Sequence, residues 1–416
     1  MKPFEALTEL VNEAAAAPQR QETLPYDIRA EIDWVDFSCI ANPLGTPSCV
    51  KEAIASAISE GDLSFLPNSD GQHLSRVIGR YFEMPPECIM AGTSVSSMIG
   101  AIAQAYRPCS VGIPTPAPTG YFLSVANVGH NPVKLVNPFS LSAIEPQVAF
   151  SNGCQFDAAV LANPSFPCAR LLSEKILKRY LEVCNWVIVD ESNISLTLGG
   201  ESFVELTQQY RNLFVVRSLS HELGMPGIPM GYVVGNESAI SHIKQFSDGS
   251  EITMFNEIVA REFPHTSDYL DETVALLEKE IPWMQCMLSL TPGIKVFPSE
   301  ANFVMCALEE RAARDFGISS AADLIVRLQK AGFTVRDLAG VPGIEGKRYF
   351  LVSIRSHEDN EKFISACAIL LMKPKAVLLF SVRLLRRTVL KFLDRNELQL
   401  RDQRSSPGNS LLQIFQ

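Results

Sequence analysis

The body of the chain is punctuated by short apolar runs, each closed by a polar turn: SVGIP (110–114), AAVLANP (158–164), WVIVDES (186–192), LFVVRSLS (213–220) and MGYVVG (230–235). Runs that do not alternate belong to strands buried on both faces. The helix-length stretches between them imply a mostly parallel sheet covered by helices. Upstream, residues 50–60 and 74–105 carry helical spacing, interrupted by a short CIMA strand (88–91). After Gly235 the pattern is helical with charged faces as far as Leu290. GIKVFPSEANFVMCAL (293–308) then reads as two short strands around a turn. SSAADLIVRLQKAG (319–332) reads as a helix, and FTVRDL (333–338) and RYFLVSIRS (348–356) as strands.

This order divides the chain into a large domain over 30–280 and a small α/β domain over 281–372. At the start, Phe4, Leu7, Leu10 and Val11 recur at helical spacing. Residues 1–29 are therefore expected to form a helical arm that joins the small domain. From Lys373 the character changes to a basic, apolar helix followed by a Ser/Gln-rich tail, 373–416 in all. Arg383, Arg386, Arg387, Lys391 and Arg395 lie among Leu and Val. The helix over 373–395 is a candidate contact for a protein partner or a membrane surface, against the plainer reading of a terminal helix packed on the body.

Composition changes this picture little. A net charge of −10 argues against wholesale nucleic-acid binding, and no stretch combines basic residues with exposed aromatics on one face. The ten cysteines are scattered without a CxxC pair, the usage of reduced thiols in a cytoplasmic protein rather than of a zinc site. The first twenty residues lack the apolar run and cleavage pattern of a signal peptide.

Open α/β sheets bind ligands outside the carboxyl ends of their strands. Asn163, Asp190, Ser218 and His221 follow apolar runs in that position. Asp190 and His221 come from neighbouring strand ends and could form a proton-transfer pair, since an imidazole of ordinary pKa near 6.5 serves as acid or base.

VDFSCIANPLG, IMAGTSVSSMIGAI, SVGIPTPAPTGY, AAVLANPSFPCA, WVIVDES, VVRSLSHELGMPGIPMGY, FPSEANFVM and RYFLVSIRS follow one another. In that order they resemble the pyridoxal-phosphate enzymes of aminotransferase fold type I. Within these, the series is most similar to the histidinol-phosphate aminotransferase and threonine-phosphate decarboxylase branch. The resemblance covers about residues 30–370. It implies a fold type I aminotransferase-like architecture, with a seven-stranded, mostly parallel sheet in the large domain. It also implies a homodimer.

By the same resemblance, Asp190 matches the acid that pairs with the pyridine nitrogen, and Asn163 the amide at the ring's phenolic oxygen. Ser94, Ser96, Ser218 and Ser220 match the phosphate-binding positions, and Arg355 the arginine that grips a substrate carboxylate. Asn42 is a candidate for the same carboxylate, and Arg336 for a further anion contact. Several positions depart from the family pattern. His221 stands where the family has its Schiff-base lysine, and imidazole offers no primary amine. Pro229 replaces the phosphate-binding arginine, Asn193 a tyrosine at the phenolic oxygen, Pro118 a stacking aromatic, and Leu66 the tyrosine that crosses from the neighbouring subunit.

Three readings follow. In the first, the chain binds an amino-acid-like carboxylate with pyridoxal or pyridoxamine phosphate held noncovalently and His221 as acid or base. In the second, it keeps the fold without the cofactor, as a partner subunit or metabolite binder. In the third, a cofactor-independent enzyme reuses the cleft. Ordinary transamination ranks below the first two.

Overall fold

Two sheets organise the chain. The computed structural model describes residues 35–61, 71–136, 156–246 and 252–371. The arm expected over 1–29, Leu66 and the helix expected over 373–395 lie outside the described residues. The seven-stranded sheet has the order β2-β8-β7-β6-β5-β3-β4. Its strands are β2 (Ile89–Gly92), β3 (Ser110–Thr115), β4 (Asn131–Val136), β5 (Ala158–Ala162), β6 (Trp186–Asp190), β7 (Leu213–Ser218) and β8 (Gly231–Gly235). Neighbours are parallel except at β8, which runs antiparallel to both β2 and β7. The five apolar runs of the sequence are thus β3, β5, β6, β7 and β8, in the seven-stranded, mostly parallel sheet that the resemblance implies.

Alternation decides what each strand end presents. Along β6, Trp186 and Ile188 enter one core, while Val187 and Val189 enter the other. On the first face pack helices α3 (Val95–Gln104) and α4 (Thr119–Asn127), through Met98, Ile99, Ile102, Tyr121, Phe122 and Val125. The second face is covered by α2 (Gln72–Tyr81), α5 (Glu174–Val183) and α8 (Met254–Glu262), through Val77, Ile78, Leu177, Tyr180 and Val259. With a period of two, Asp190 and Ser218 belong to the α3/α4 face, and Glu191, Arg217 and Asn163 to the opposite face. Within this sheet, the strand that the sequence reading did not find is β4. It is an edge strand, where Pro132 and Lys134 are tolerated because one side of the backbone needs no partner.

The second sheet has the order β1-β11-β12-β10-β9. It is built from β1 (Val35–Phe37), β9 (Ile294–Val296), β10 (Phe303–Leu308), β11 (Phe333–Asp337) and β12 (Tyr349–Ser353). Its core gathers Leu277, Ile281 and Met284 of α9 (Ser267–Leu290), Leu324 and Leu328 of α11 (Ala321–Gln329), and Phe363 and Cys367 of α12 (His357–Leu371). β1 pairs in parallel with β11, and Phe37 stacks on Phe363 at 4.4 Å. Residues 35–37, which the sequence reading includes in the large domain without reading a strand, thus pair in the C-terminal sheet. The expected break after residue 280 falls within the continuous helix α9.

No helix among the described residues is long and apolar enough to cross a membrane.

Candidate functional site

β7 ends at Ser218 and turns directly into the short helix α6 (Leu219–Glu222). The Ser218 hydroxyl caps it by accepting from the His221 N–H at 3.3 Å. At its other end, Asn42 N–H donates to the His221 carbonyl (2.9 Å), and the Asn42 side chain donates to the Glu222 carbonyl (2.9 Å). Gly224, at φ +59°, lets the 42–46 loop lie against the turn, where a Cβ would meet Gly45 backbone at 2.6 Å. Capped at both ends, α6 holds His221 in one orientation.

The half-buried imidazole places Nδ1 2.9 Å from the Asn193 Oδ1. Burial lowers its pKa below the usual histidine value; Asp190 opposes the shift and Arg336 adds to it. Asp190 and Arg336 are therefore within electrostatic reach. Asp190, on the α3/α4 face, accepts from the Tyr121 hydroxyl at Oδ2 and from the Ser192 hydroxyl and N–H at Oδ1, the last at 2.9 Å. Burial, and then the Asp190 charge, hold the Tyr121 phenol well above its ordinary pKa, so it remains a donor. Among the described residues His221 and Asp190 share no hydrogen bond; each group of the expected proton-transfer pair is hydrogen-bonded to other partners.

Arg336, on β11, stacks over the Phe166 ring at 4.9 Å. Among the described residues it makes no hydrogen bond or ion pair. Burial lowers its pKa, but Cys39 and Asp36 oppose this, and an arginine so shifted stays charged at neutral pH. Phe166 also lines a small apolar recess with Pro116, Ala117, Tyr121, Ala162 and Cys168. Arg355 is differently placed. Its Nε donates to the Asp36 carbonyl at 2.8 Å, and its Nη2 to the carbonyls of Asp36 and Cys39. Only Nη1 is left to meet a ligand, so the expected bidentate grip is reduced to one nitrogen.

Other expected site residues are committed elsewhere. Both amide hydrogens of Asn42 are taken, by Glu222 O and Thr273 Oγ1 (2.8 Å), so no donor remains for a carboxylate. Asn163 lies on the opposite face, where it donates to the Glu201 carbonyl (3.2 Å) and accepts from Leu172 N–H (3.0 Å). The Ser220 hydroxyl donates to the Ile228 carbonyl and accepts from Met230 N–H, fastening the 228–230 segment. Ser94 and Ser96 are exposed at the start of α3. Ser94 is its N-cap, and Ser96 faces Gly120 at the start of α4. Pro229 is exposed, and its carbonyl accepts from Asn256. Pro118 precedes α4 as its N-cap.

A buried ionic cluster was missed by the sequence reading. Arg217 approaches Glu191 (3.7 Å) and Glu222 (3.4 Å), and its Nη2 donates to Ser195 Oγ at 2.7 Å. Glu191 also accepts from Ser202 Oγ (2.5 Å) and Phe203 N–H (2.7 Å). Burial raises the Glu191 pKa against the pull of Arg217. Burial opposes the Arg217 charge, but Tyr232, Glu222 and Glu191 more than offset it and raise the pKa. The signal available in sequence was a lone arginine inside the LFVVRS run, which must find a partner if the strand is buried.

With this geometry in place, comparison with known proteins is informative. The sequence model of aminotransferase class I and II matches residues 32–365. The chain is 25% identical over 336 residues to a histidinol-phosphate aminotransferase of Thermoanaerobacter pseudethanolicus, covering 79% of this chain and 91% of that one. It is 24% identical over 342 residues to a threonine-phosphate decarboxylase of Salmonella typhimurium, covering 80% and 90%. Its fold is similar to that of L-threonine-O-3-phosphate decarboxylase from Porphyromonas gingivalis. There the TM-score is 0.71 at 20% identity, covering 82% of this chain and 100% of the other.

Proposed function

The chain belongs to the aminotransferase class I and II family, and from that premise we propose that it binds a small, amino-acid-like carboxylate in the cleft and is not an ordinary transaminase. One observation carries the reading: Arg336, a half-buried cation within electrostatic reach of His221, makes no hydrogen bond or ion pair among the described residues. A guanidinium stacked on an aromatic ring and left with free donors suits a planar carboxylate. Arg355 Nη1 can add a second, single contact.

The family is pyridoxal-phosphate dependent, but we read the cleft as not fitting that group in covalently attached form. His221 offers no primary amine. The amide donors of Asn163 and Asn193 are spent on this chain's own groups, and Asp190 already accepts three hydrogen bonds. We therefore assign His221 to hydrogen bonding or proton transfer on the ligand itself. A second reading, reversible binding of pyridoxal or pyridoxamine phosphate, is favoured by exposed Ser94 and Ser96 at the N-terminus of α3.

Calorimetry with amino acids, their 2-oxo counterparts and both cofactor forms, on wild type and Asp190→Ala, separates these readings. Carboxylate binding without internal-aldimine absorbance or borohydride trapping supports the first. Saturable cofactor binding that requires Asp190 would favour the second. Absence of any carboxylate binding at millimolar concentration defeats the proposal. Family members are typically homodimers, and we extend that assembly to this chain; a monomer mass by light scattering at micromolar protein would exclude it.

A further inference from the structure

The proposed ligand meets an imidazole, and which imidazole nitrogen carries the proton decides what the ligand must offer. Asn193 settles this from outside the ring. Its Nδ2 donates to the Ile40 carbonyl at 2.9 Å and to Asn302 Oδ1 at 3.2 Å. A backbone carbonyl can only accept, so the amide nitrogen must point to Ile40 and the amide oxygen to His221. The neighbouring amide is fixed in the same way, since Asn302 Nδ2 donates to the Ile40 carbonyl (2.7 Å) and to Ala41 O (3.4 Å). That leaves Asn302 Oδ1 as the acceptor for Asn193. Asn193 and Asn302 are both buried, 6% and 0% exposed, so water cannot readily substitute for either contact. Asn193 Oδ1, 2.9 Å from His221 Nδ1, must then accept a proton carried by that nitrogen.

We infer that Asn193 is a positioning residue that locks neutral His221 in the Nδ1–H tautomer and presents Nε2 to the cleft as an unprotonated acceptor. Nε2 makes no hydrogen bond among the described residues. Burial disfavours a second proton on the ring and Arg336 adds to this, while Asp190 favours one; burial tips the balance to the neutral ring. The inference deepens the proposed function and rests on it only for its ligand. A ligand of this site carries an anionic group for Arg336 and, close to it, a hydrogen-bond donor for Nε2. A 2-amino or 2-hydroxy acid meets both requirements, whereas a 2-oxo acid or a desamino acid leaves Nε2 unpaired.

The test begins with ligand-free protein, so that it is independent of binding. Nitrogen-15 NMR of histidine-labelled protein above pH 7.5 reads the tautomer of each of the six histidines, and His221 is assigned by the signal lost in His221→Gln. The expected spectrum has a protonated Nδ1 and an unprotonated Nε2; the reverse overturns the inference even if carboxylates bind. Asn193→Ala should release the preference and give averaged shifts. Should Asn193→Ala fail to fold, the wild-type spectrum alone decides the tautomer. Unchanged shifts in a folded Asn193→Ala protein also overturn it. In binding, the 2-oxo analogue should be about tenfold weaker than the amino acid, the worth of one hydrogen bond to a charged donor. Equal affinities overturn the claim for Nε2, while absence of binding by either fails the proposed function and leaves the tautomer result standing.

Discussion

The two faces of the strand ends treat their polar groups in opposite ways. On the face covered by α2, α5 and α8, Arg217, Glu191, Asn163 and Glu222 are buried and paired with one another or with local hydroxyl and backbone groups. On the cleft side, His221 Nε2, the Arg336 guanidinium and the exposed Ser96 hydroxyl make no hydrogen bond among the described residues. Buried polar groups are retained only when satisfied, so the first set is framework. Groups held rigidly yet left open are affordable where a ligand or solvent completes them, and that separates a site from a scaffold.

The sharpest way to break this comparison is Arg217→Leu. It leaves Glu191 and Glu222 buried without their cation, and loss of one partner from such a cluster costs about 3–5 kcal/mol. Urea denaturation should show a loss of that order. A change below about 1 kcal/mol, the size typical of an exposed pair, would place this face with the surface rather than the framework.

Arg336→Ala should behave in the opposite sense. It removes charge-assisted donors that no group among the described residues uses, so stability should move by about 1 kcal/mol or less, mostly through lost stacking on Phe166. Carboxylate affinity should fall about ten- to a hundredfold, as expected for a contact worth about 1.5–3 kcal/mol. If calorimetry finds affinity intact and the melting transition strongly lowered, Arg336 belongs to the framework. Asp190→Asn is intermediate: the carboxylate accepts from Tyr121 and Ser192, while its second role toward a ligand is open. Its stability loss should fall between the first two, about 1–3 kcal/mol for disturbed buried hydrogen bonds.

The same contrast explains what the sequence could disclose. The interior strands were legible because burial on both faces writes them as unbroken apolar runs, and the residues closing those runs fall at the ligand-binding end. β4 was not, because an edge strand tolerates Pro132 and Lys134. Asn163 was placed by its position at a strand end, yet period two extends the Ala159, Leu161 series to it and turns it to the framework face. Tyr121 follows three prolines, Pro114, Pro116 and Pro118, that read as a turn. Only packing of α4 on the sheet brings its hydroxyl to Asp190. Asn42 and Arg355 were expected at a ligand, and their capture by nearby carbonyls depends on how the 36–46 loop folds back, which spacing does not encode.

The smallest expected effect is a difference in acid response. His221 has its pKa lowered in the fold by burial, with Arg336 adding to the shift and Asp190 opposing it. The unfolded chain, with an ordinary value near 6.5, binds the proton first. Stability owed to the neutral ring is therefore fully present above that value and is lost as pH falls through the folded pKa. Glu191 has the opposite sign. Burial raises its folded pKa, so protonation on acidification relieves part of the framework's charge cost while Arg217 resists it. Thermal melts from pH 7.5 down to 5 should thus show a gradual loss in wild type that His221→Gln reduces, because glutamine keeps a polar group in the slot and cannot titrate. Carboxylates common to both proteins cancel in the difference. Parallel curves for the two proteins would mean that His221 ionises as freely folded as unfolded, and the cleft would then hold a solvated imidazole rather than one kept neutral for a ligand.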